Sequence, residues 1–390
     1  MKKTTTLITA LAFVIIGKIN AQTSLPTPDH VLVVLLENYG YSEIIGSSNA
    51  PYINSLYANP ATATFTQSYA LTHPSLPNYL DLYCGNNYGV TSDNIPTNTP
   101  WTYCNLGASV ITKGLTWGAY SETLPSVGFT GTSSGNYAEK HCPWVIFQGT
   151  GTNNVPASTN MPFTSFPDSL HYSNLPTVCF VIPNMVDDMH DPSYNAPTAI
   201  SNGDAWVKNH LGSVIRWCQS NNSLFILTFD EDDGIIIGGV QTTSNQIVTM
   251  FIGGMVNGGH YANKINHFSV LRTIEDMYAL PQCDSSAFYG PITNVWNTTG
   301  IQQHTSNNSI SVYPVPTSEK LNINITADTE DKTVLTITDL SGKVVKEEEL
   351  TIVSGNNAIE TNVKNLSNGF YFLKLTGNHI NHTEKFIVDK

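Results

Sequence analysis

Three clusters of acidic and polar residues, each directly behind a run of apolar residues, carry the chemistry this chain could do. Glu37-Asn38 follow Val31–Leu36. Asn184 through Asp187-Asp188-Met189-His190-Asp191 follow Val178–Ile182. Asp230-Glu231-Asp232-Asp233 follow Leu224–Phe229. Short runs of Val, Ile, Leu and Phe read as strands buried on both faces. Ligands of open parallel sheets bind just outside the carboxyl ends of the strands. The chain therefore delivers carboxylates, an amide and an imidazole to one rim of one sheet, and that set of groups holds a hard or borderline divalent cation. An acidic surface would account for the total charge but not for acids placed behind apolar runs.

A fourth segment, Thr72-His73-Pro74-Ser75-Leu76-Pro77-Asn78-Tyr79, supplies a hydroxyl. Pro77 suits the first turn of a helix, which puts Ser75 close to the helix start. The positive end of a helix favours an alkoxide and an incoming phosphate. A serine beside a metal can lose its proton and act as a nucleophile. Ordinary capping and turn roles for Ser75 and Asn78 explain the same segment without chemistry, and Thr72 offers a competing hydroxyl three residues earlier.

The elements that must position these groups alternate along residues 24–290. Ile53–Tyr57, Pro77–Tyr83, Asp204–Gln219 and Phe268–Leu280 read as helices, and Leu115–Tyr120 and Ile247–Ile252 as further strands. Strands alternating with helices indicate an α/β fold around a mainly parallel sheet. The Gly/Ser/Thr/Asn-rich stretches 85–109 and 126–165 read as surface excursions that shape the site. Beyond about residue 300 the pattern becomes short alternating strands: Lys320–Ile325, Thr333–Asp339, Val344–Leu350, Asn357–Asn362 and Phe370–Thr376. These describe a small all-β sandwich.

The 390 residues suffice for two domains. Residues 1–21 have a basic start, the apolar stretch Leu7–Ile16 and Ala21 before Gln22, the pattern of a secretory signal peptide. The expected division is a signal peptide at 1–21, a catalytic domain at 22–300, a linker at 301–309 and the β-sandwich at 310–390. No segment approaches the roughly 20 apolar residues of a membrane span. Residues 22–305 carry six Lys and Arg against nineteen Asp and Glu. That balance argues against a nucleic-acid binder, which needs a basic stripe, and leaves a metal as the main positive partner of an anionic substrate. Six cysteines in an exported chain permit disulfides. With no CxxC pair, fifteen full pairings stay open. Cys179 and Cys218 sit in apparent core elements and suit plain buried thiols. His171, His210, His260 and His304 read as structural or surface histidines.

Region 30–282 resembles the bacterial and fungal phosphoesterase family that holds acid phosphatases and the non-haemolytic-type phospholipases C. The resemblance rests on His30 through Glu37-Asn38, Thr72 through Tyr79, Tyr137 through Lys140-His141 and Pro143, Pro183-Asn184 through Asp191, Asp230 through Gly234, and Asn266-His267 through Asp276. The fold it implies is that of the alkaline-phosphatase superfamily. It makes Ser75 the nucleophile and Asn78 a holder of phosphoryl oxygens. Lys140 and His141 would contact phosphate or protonate the leaving group. Glu37, Asn38, Asp188, His190, Asp230, Glu231 and His267 would form the metal site. Carboxylates and amides among these lean toward Ca, Mg or Mn, and the histidines keep Zn and Fe open. The form of Thr72–Tyr79 resembles the acid-phosphatase branch.

The region after 310 resembles the C-terminal sorting domain of the Bacteroidetes type IX secretion system. Its markers are Val312 through Thr317, Leu340-Ser341-Gly342-Lys343 and Gly369 through Lys374. This implies passage through the periplasm to the medium or the cell surface, with the secretion machinery as partner. The expectation is a secreted, metal-dependent acid phosphatase acting on small phosphate monoesters through a phosphoserine. A phosphodiesterase or phospholipase C is one alternative, and a non-enzymatic, calcium-stabilised surface binding protein is the other.

Overall fold

A computed structural model describes residues 25–297 and 309–390, apart from 192–194, 235, 238–239, 242–243, 328–329, 341–342 and 378–379. The expected signal peptide and almost all of the expected linker lie outside the described residues. The chain divides into two compact units, Met1–Thr298 and Thr299–Lys390.

The first unit is built on an eight-stranded sheet. In chain order its strands are β1 (His30–Leu36), β2 (Thr62–Phe65), β3 (Trp117–Ser121), β4 (Asn160–Pro162), β5 (Val178–Ile182), β6 (Ser223–Phe229), β7 (Thr249–Ile252) and β8 (Gly259–Tyr261). Their spatial order is β8-β2-β7-β6-β1-β5-β3-β4. β7 runs against both its neighbours and every other pairing in this sheet is parallel. The apolar runs of β1, β5 and β6 thus become three adjacent strands at the centre, with β1 in the middle. Period-two alternation divides β1 between two cores. Val31, Val33 and Leu35 enter one, and Leu32, Val34 and Leu36 enter the other. Each buried Val or Leu side chain contributes on the order of 1.5–3 kcal/mol of transfer free energy.

Helices cover both faces. α1 (Pro51–Tyr57), α3 (Ala196–Trp206) and α4 (Gly212–Ser220) contribute to the core of Leu32. α2 (Ser75–Cys84) and α5 (His267–Met277) contribute to that of Val31. The single helix expected over 204–219 is the later part of α3, a π turn at Val207–Leu211 and α4. Every residue of α2 is buried. It stops at Gly85, whose φ of +75° needs glycine, and a Cβ there would stand 1.9 Å from the Cys283 carbonyl oxygen. Beside that contact Cys104 and Cys283 form a disulfide, while Cys84, Cys142, Cys179 and Cys218 are free and buried.

The second unit pairs a three-stranded with a four-stranded antiparallel sheet. Its strands are β9 (Ser309–Tyr313), β10 (Lys320–Ala327), β11 (Asp331–Asp339), β12 (Val344–Ile352), β13 (Gly355–Asn362), β14 (Gly369–Thr376) and β15 (Asn381–Val388). The orders are β9-β10-β13 and β12-β11-β14-β15. Leu321, Ile323 and Ile325 of one sheet share a core with Leu335, Ile337, Leu373 and Phe386 of the other, so the unit is a sandwich. The sequence pattern shows five of its seven strands and misses β9 and β15.

Two carboxyls in the first unit make its stability depend on pH. Glu275 of α5 is fully buried, accepts the Cys283 amide at 2.8 Å and the Ser286 hydroxyl at 2.6 Å, and is pushed up to about 7 by burial. Burial also pushes Asp81 of α2 up to about 7, against hydrogen bonds from Asn87. In an unfolded chain such groups titrate near pH ~4. Because the folded values are the higher ones, their contribution is complete below that pH and is lost as pH rises toward 7. Thermal unfolding should therefore show a melting temperature that falls from pH 5 to pH 8. Glu275→Gln, which cannot ionise, should flatten the fall. An unaltered slope in that variant would remove Glu275 from the explanation.

Candidate active site

The carboxyl ends of β1, β5 and β6 are stitched together by backbone hydrogen bonds. The Glu37 amide donates to the Asp188 carbonyl at 2.8 Å, and the Asp230 amide donates to the Leu36 carbonyl at 3.1 Å. Asn38 takes a left-handed conformation, φ 55°, and its amide donates to Asp230 Oδ1 at 3.1 Å. After β5 the chain turns so that the His190 amide donates to Asp188 Oδ1, and Met189 between them has φ 85°. That turn is held from below. A Cβ on Gly203 of α3 would lie 2.5 Å from the Met189 side chain, so any larger residue there would force Met189 to shift.

Ser75 is the first residue of α2, and its side chain stands between two strand ends. Its hydroxyl lies within donating distance of both Glu37 Oε2, at 3.0 Å, and Glu231 Oε1, at 3.2 Å. Glu37 is completely buried and its other oxygen accepts the Tyr79 hydroxyl from the next turn of α2. The Thr72 hydroxyl donates to the neighbouring His73 carbonyl. Asp230 Oδ1 accepts the Glu231 amide at 2.7 Å, whereas its buried Oδ2 has no hydrogen-bond partner.

Behind Glu37 lies His141, fully buried and stacked on Tyr79. Its Nε2 is 3.2 Å from Glu37 Oε1 and its Nδ1 is 3.0 Å from Asp188 Oδ2, yet neither His141 Nε2 nor Asp188 Oδ2 has hydrogen-bonding geometry. Ligand atoms of Glu37, His141 and His190 all fall within 4.8 Å of one another. His190 Nε2 accepts from Lys140 Nζ at 2.9 Å, and Lys140 also pairs with Asp93 at 2.8 Å.

The electrostatics are those of a crowd of like charges. Burial, then the charges of Asp230 and Asp188, raise Glu37 well above the usual carboxylate range. Burial, then Glu231, does the same to Asp230. Asp188 is pushed up to about 7 by burial. Burial, followed by Lys140, drops His141 well below the normal imidazole value, and burial brings His190 and His267 down to about 4. Four buried carboxylates with neutral imidazoles among them, and a carboxylate oxygen left without a partner, are the donor set of a divalent cation.

Several residues sit differently from the sequence reading. Asn78, expected on phosphoryl oxygens, is fully buried and committed to its own loop. Its Oδ1 accepts the Leu71 and Thr72 amides, and its Nδ2 donates to the Thr72 carbonyl and to Glu231 Oε2. His267, expected among the ligands, donates Nε2–H to the Asp230 carbonyl at 2.7 Å. His141, expected at the leaving group, is shut away behind Glu37. Asn184 is turned to Asp187 and Glu122. Sequence reasoning gave no role to His73, whose Nδ1 is 2.8 Å from Glu231 and whose Nε2 is 3.2 Å from Asp232. Burial lowers His73, but the bond to Glu231 and the surrounding carboxylates outweigh that and raise it. Tyr79 and Asp93 were also missed. Tyr79 lay inside the quoted segment, while nothing in the sequence around Asp93 marks it.

Residues 46–281 match the Phosphoesterase family and residues 311–389 match the secretion system C-terminal sorting domain. The chain is 44% identical over 276 residues to a phosphatidylinositol-3-phosphatase of Mycobacterium tuberculosis, covering 71% of this chain and 85% of that protein. It is 30% identical over 260 residues to an acid phosphatase of Aspergillus fumigatus, covering 64% of this chain and 54% of the fungal protein. The chain spans about half the length of the fungal relatives it matches. Among solved structures, a protein of the alkaline phosphatase superfamily from Vibrio parahaemolyticus shares the fold, with a TM-score of 0.50 at 11% identity over 85% of this chain and 84% of that one. Among the described residues no helix is long and apolar enough to cross a membrane. The purely structural, calcium-stabilised alternative gives way to these matches. The chain belongs to the Phosphoesterase family of phosphate-ester hydrolases and is exported, to the medium or the cell surface, by a type IX sorting domain.

Proposed function

We propose that the protein is a metal-dependent phosphomonoesterase of the acid-phosphatase type, with Ser75 as nucleophile. The observation that carries this reading is the Ser75 hydroxyl at a helix start, within hydrogen-bond distance of carboxylates from two different strand ends. Glu231 is held by His73 and Asn78 through its second oxygen. Its first oxygen is thereby aimed at Ser75 and takes the proton as Oγ attacks phosphorus in line. The Oγ–P bond forms as the P–O bond to the substrate alcohol breaks, and the departing alkoxide takes a proton from water. The resulting phosphoserine is then hydrolysed by water to free serine and inorganic phosphate. Lys140 brings a fixed positive charge to the transferring group, and the start of α2 adds its dipole. Asn78 and His267 act through Glu231 and Asp230 as positioning residues.

Two donor groups share Glu37. Asp230, Glu231 and Ser75 complete an oxygen-rich set suited to Ca, Mg or Mn, with Asn38 beside it. His141 and His190 complete a set suited to Zn or Fe. A cation held there supplies charge neutralisation for the alkoxide and the phosphoryl oxygens. The relative at 44% identity acts on phosphatidylinositol 3-phosphate, which supports monoesters of bulky polyols, as well as small phosphate esters, as substrates.

Ser75→Ala should lower turnover by at least about 10³-fold while phosphate binding survives. Near-normal turnover in that variant, with Thr72→Ala inactive instead, would move the nucleophile to Thr72. Chelation should abolish activity, and elemental analysis should find less metal retained by Asp230→Asn or Glu37→Gln than by the parent. Full-rate hydrolysis by exhaustively metal-free protein would sink the mechanism. A chain of residues 22–300 should fold and hydrolyse the same monoesters, since none of the proposed ligands lies beyond His267; an inactive, insoluble product would contradict the proposed domain division.

A further inference from the structure

The loop that leaves α2 at Gly85 returns to the site at Asp93. Asp93 Oδ1 accepts the Leu76 amide at 3.1 Å, and Oδ2 takes Lys140 Nζ at 2.8 Å. Both donors have an evident second use. The first residues of an α-helix carry amides with no partner inside the helix. At the start of α2, Pro74 and Pro77 have no N–H, which leaves the amides of Ser75 and Leu76 to face an anion. Lys140 also donates to His190 Nε2 at 2.9 Å, and His190 groups with Glu37, the carboxylate that accepts the Ser75 hydroxyl. A phosphoryl group seated at Ser75 Oγ would meet the Leu76 amide and the Lys140 ammonium, and in this structure a carboxylate already bridges them. That carboxylate is 34% exposed and lies on a long irregular loop, so it can turn out to water.

We propose that Asp93 is an internal stand-in for substrate phosphate. Its carboxylate occupies the Leu76 amide and Lys140 in the resting enzyme, and the phosphate of a monoester displaces it on binding. The exchange forms and breaks only hydrogen bonds and an ion pair. Between substrates Asp93 holds Lys140 beside the Leu76 amide, in the place the phosphate would take. The cost falls on affinity, because a site filled by its own side chain binds with an apparent affinity reduced by the unfilled fraction. This rests on the reading that Ser75 is the nucleophile.

The test compares the KM of a phosphate monoester and the inhibition constant of inorganic phosphate in the full-length parent, Asp93→Ala and Asp93→Asn. If Asp93 fills the seat about nine-tenths of the time, removing it should lower both constants by roughly tenfold. Asp93→Asn keeps an acceptor for Leu76 without the charge, so its shift should be smaller and in the same direction. Being isosteric, it also keeps the test open if alanine disturbs the loop. Constants that rise or stay put in both variants would overturn the proposal and make Asp93 a strut for Lys140. Titration of inorganic phosphate into Ser75→Ala, with and without Asp93→Ala, separates the two readings. Turnover by Ser75→Ala would remove that nucleophile, while tighter phosphate binding in the double variant would still establish the exchange.

Discussion

Everything at the rim of this sheet is arranged around the cost of burying Glu37. The carboxylate is fully buried at the end of the central strand, with Asp188 and Asp230 on the adjacent strand ends adding to the repulsion. A group so placed needs partners from every side, and the fold supplies them. Ser75 and Tyr79 reach it from one helix and His141 from the 3-10 turn Glu139–His141. None of these neutralises the negative charge outright: hydroxyls share it, and a buried imidazole is too reluctant a base to carry a proton for it. The electrostatic deficit that remains is what gives the site its appetite for a cation.

The same carboxylates set the two hydroxyls of the Thr72–Tyr79 segment apart. The resemblance assigns the nucleophile to Ser75, with Thr72 as a competing hydroxyl three residues earlier. The helix start brings Ser75 alone between the two strands, whereas Thr72 is spent on a neighbouring carbonyl. Asn78, one helical turn after the serine, resembles an asparagine that holds the phosphoryl oxygens in related phosphodiesterases. That turn carries it inward, where it closes the loop that delivers Ser75.

Much of this frame was legible from periodicity. Three apolar runs with polar residues behind them became three neighbouring strands, because an apolar run of that length can be satisfied only between two layers of helix. The carboxylates behind those runs came with the strands to one rim of the sheet. Local pattern carries no information about partners far along the chain, and the differences lie there. Asp93 sits in an unremarkable polar loop, and only the folded chain brings it to Lys140. Cys104 and Cys283 are 179 residues apart, and their pairing comes from the closing of α2 against the segment after α5. His267 carries the right side chain for a ligand, yet its helix start turns the ring toward a backbone carbonyl. In the second unit, the two strands missed are those at its ends in sequence, β9 and β15, each an edge of its sheet.

Two consecutive residues of α3 face different tasks. Gly203 makes room for Met189 under the turn that bears His190, and Asp204 accepts the Tyr52 and Ile53 amides that open α1. The helix is therefore a shared foundation, and a disturbance in it is felt in two places without touching either directly. For anyone engineering the enzyme, this marks a position where sequence tolerance is a poor guide. A methyl group at 203 is chemically mild, but it presses on the Met189 side chain under the turn that bears His190. Libraries aimed at the outer surface of this helix should hold 203 and 204 fixed and vary the solvent side instead.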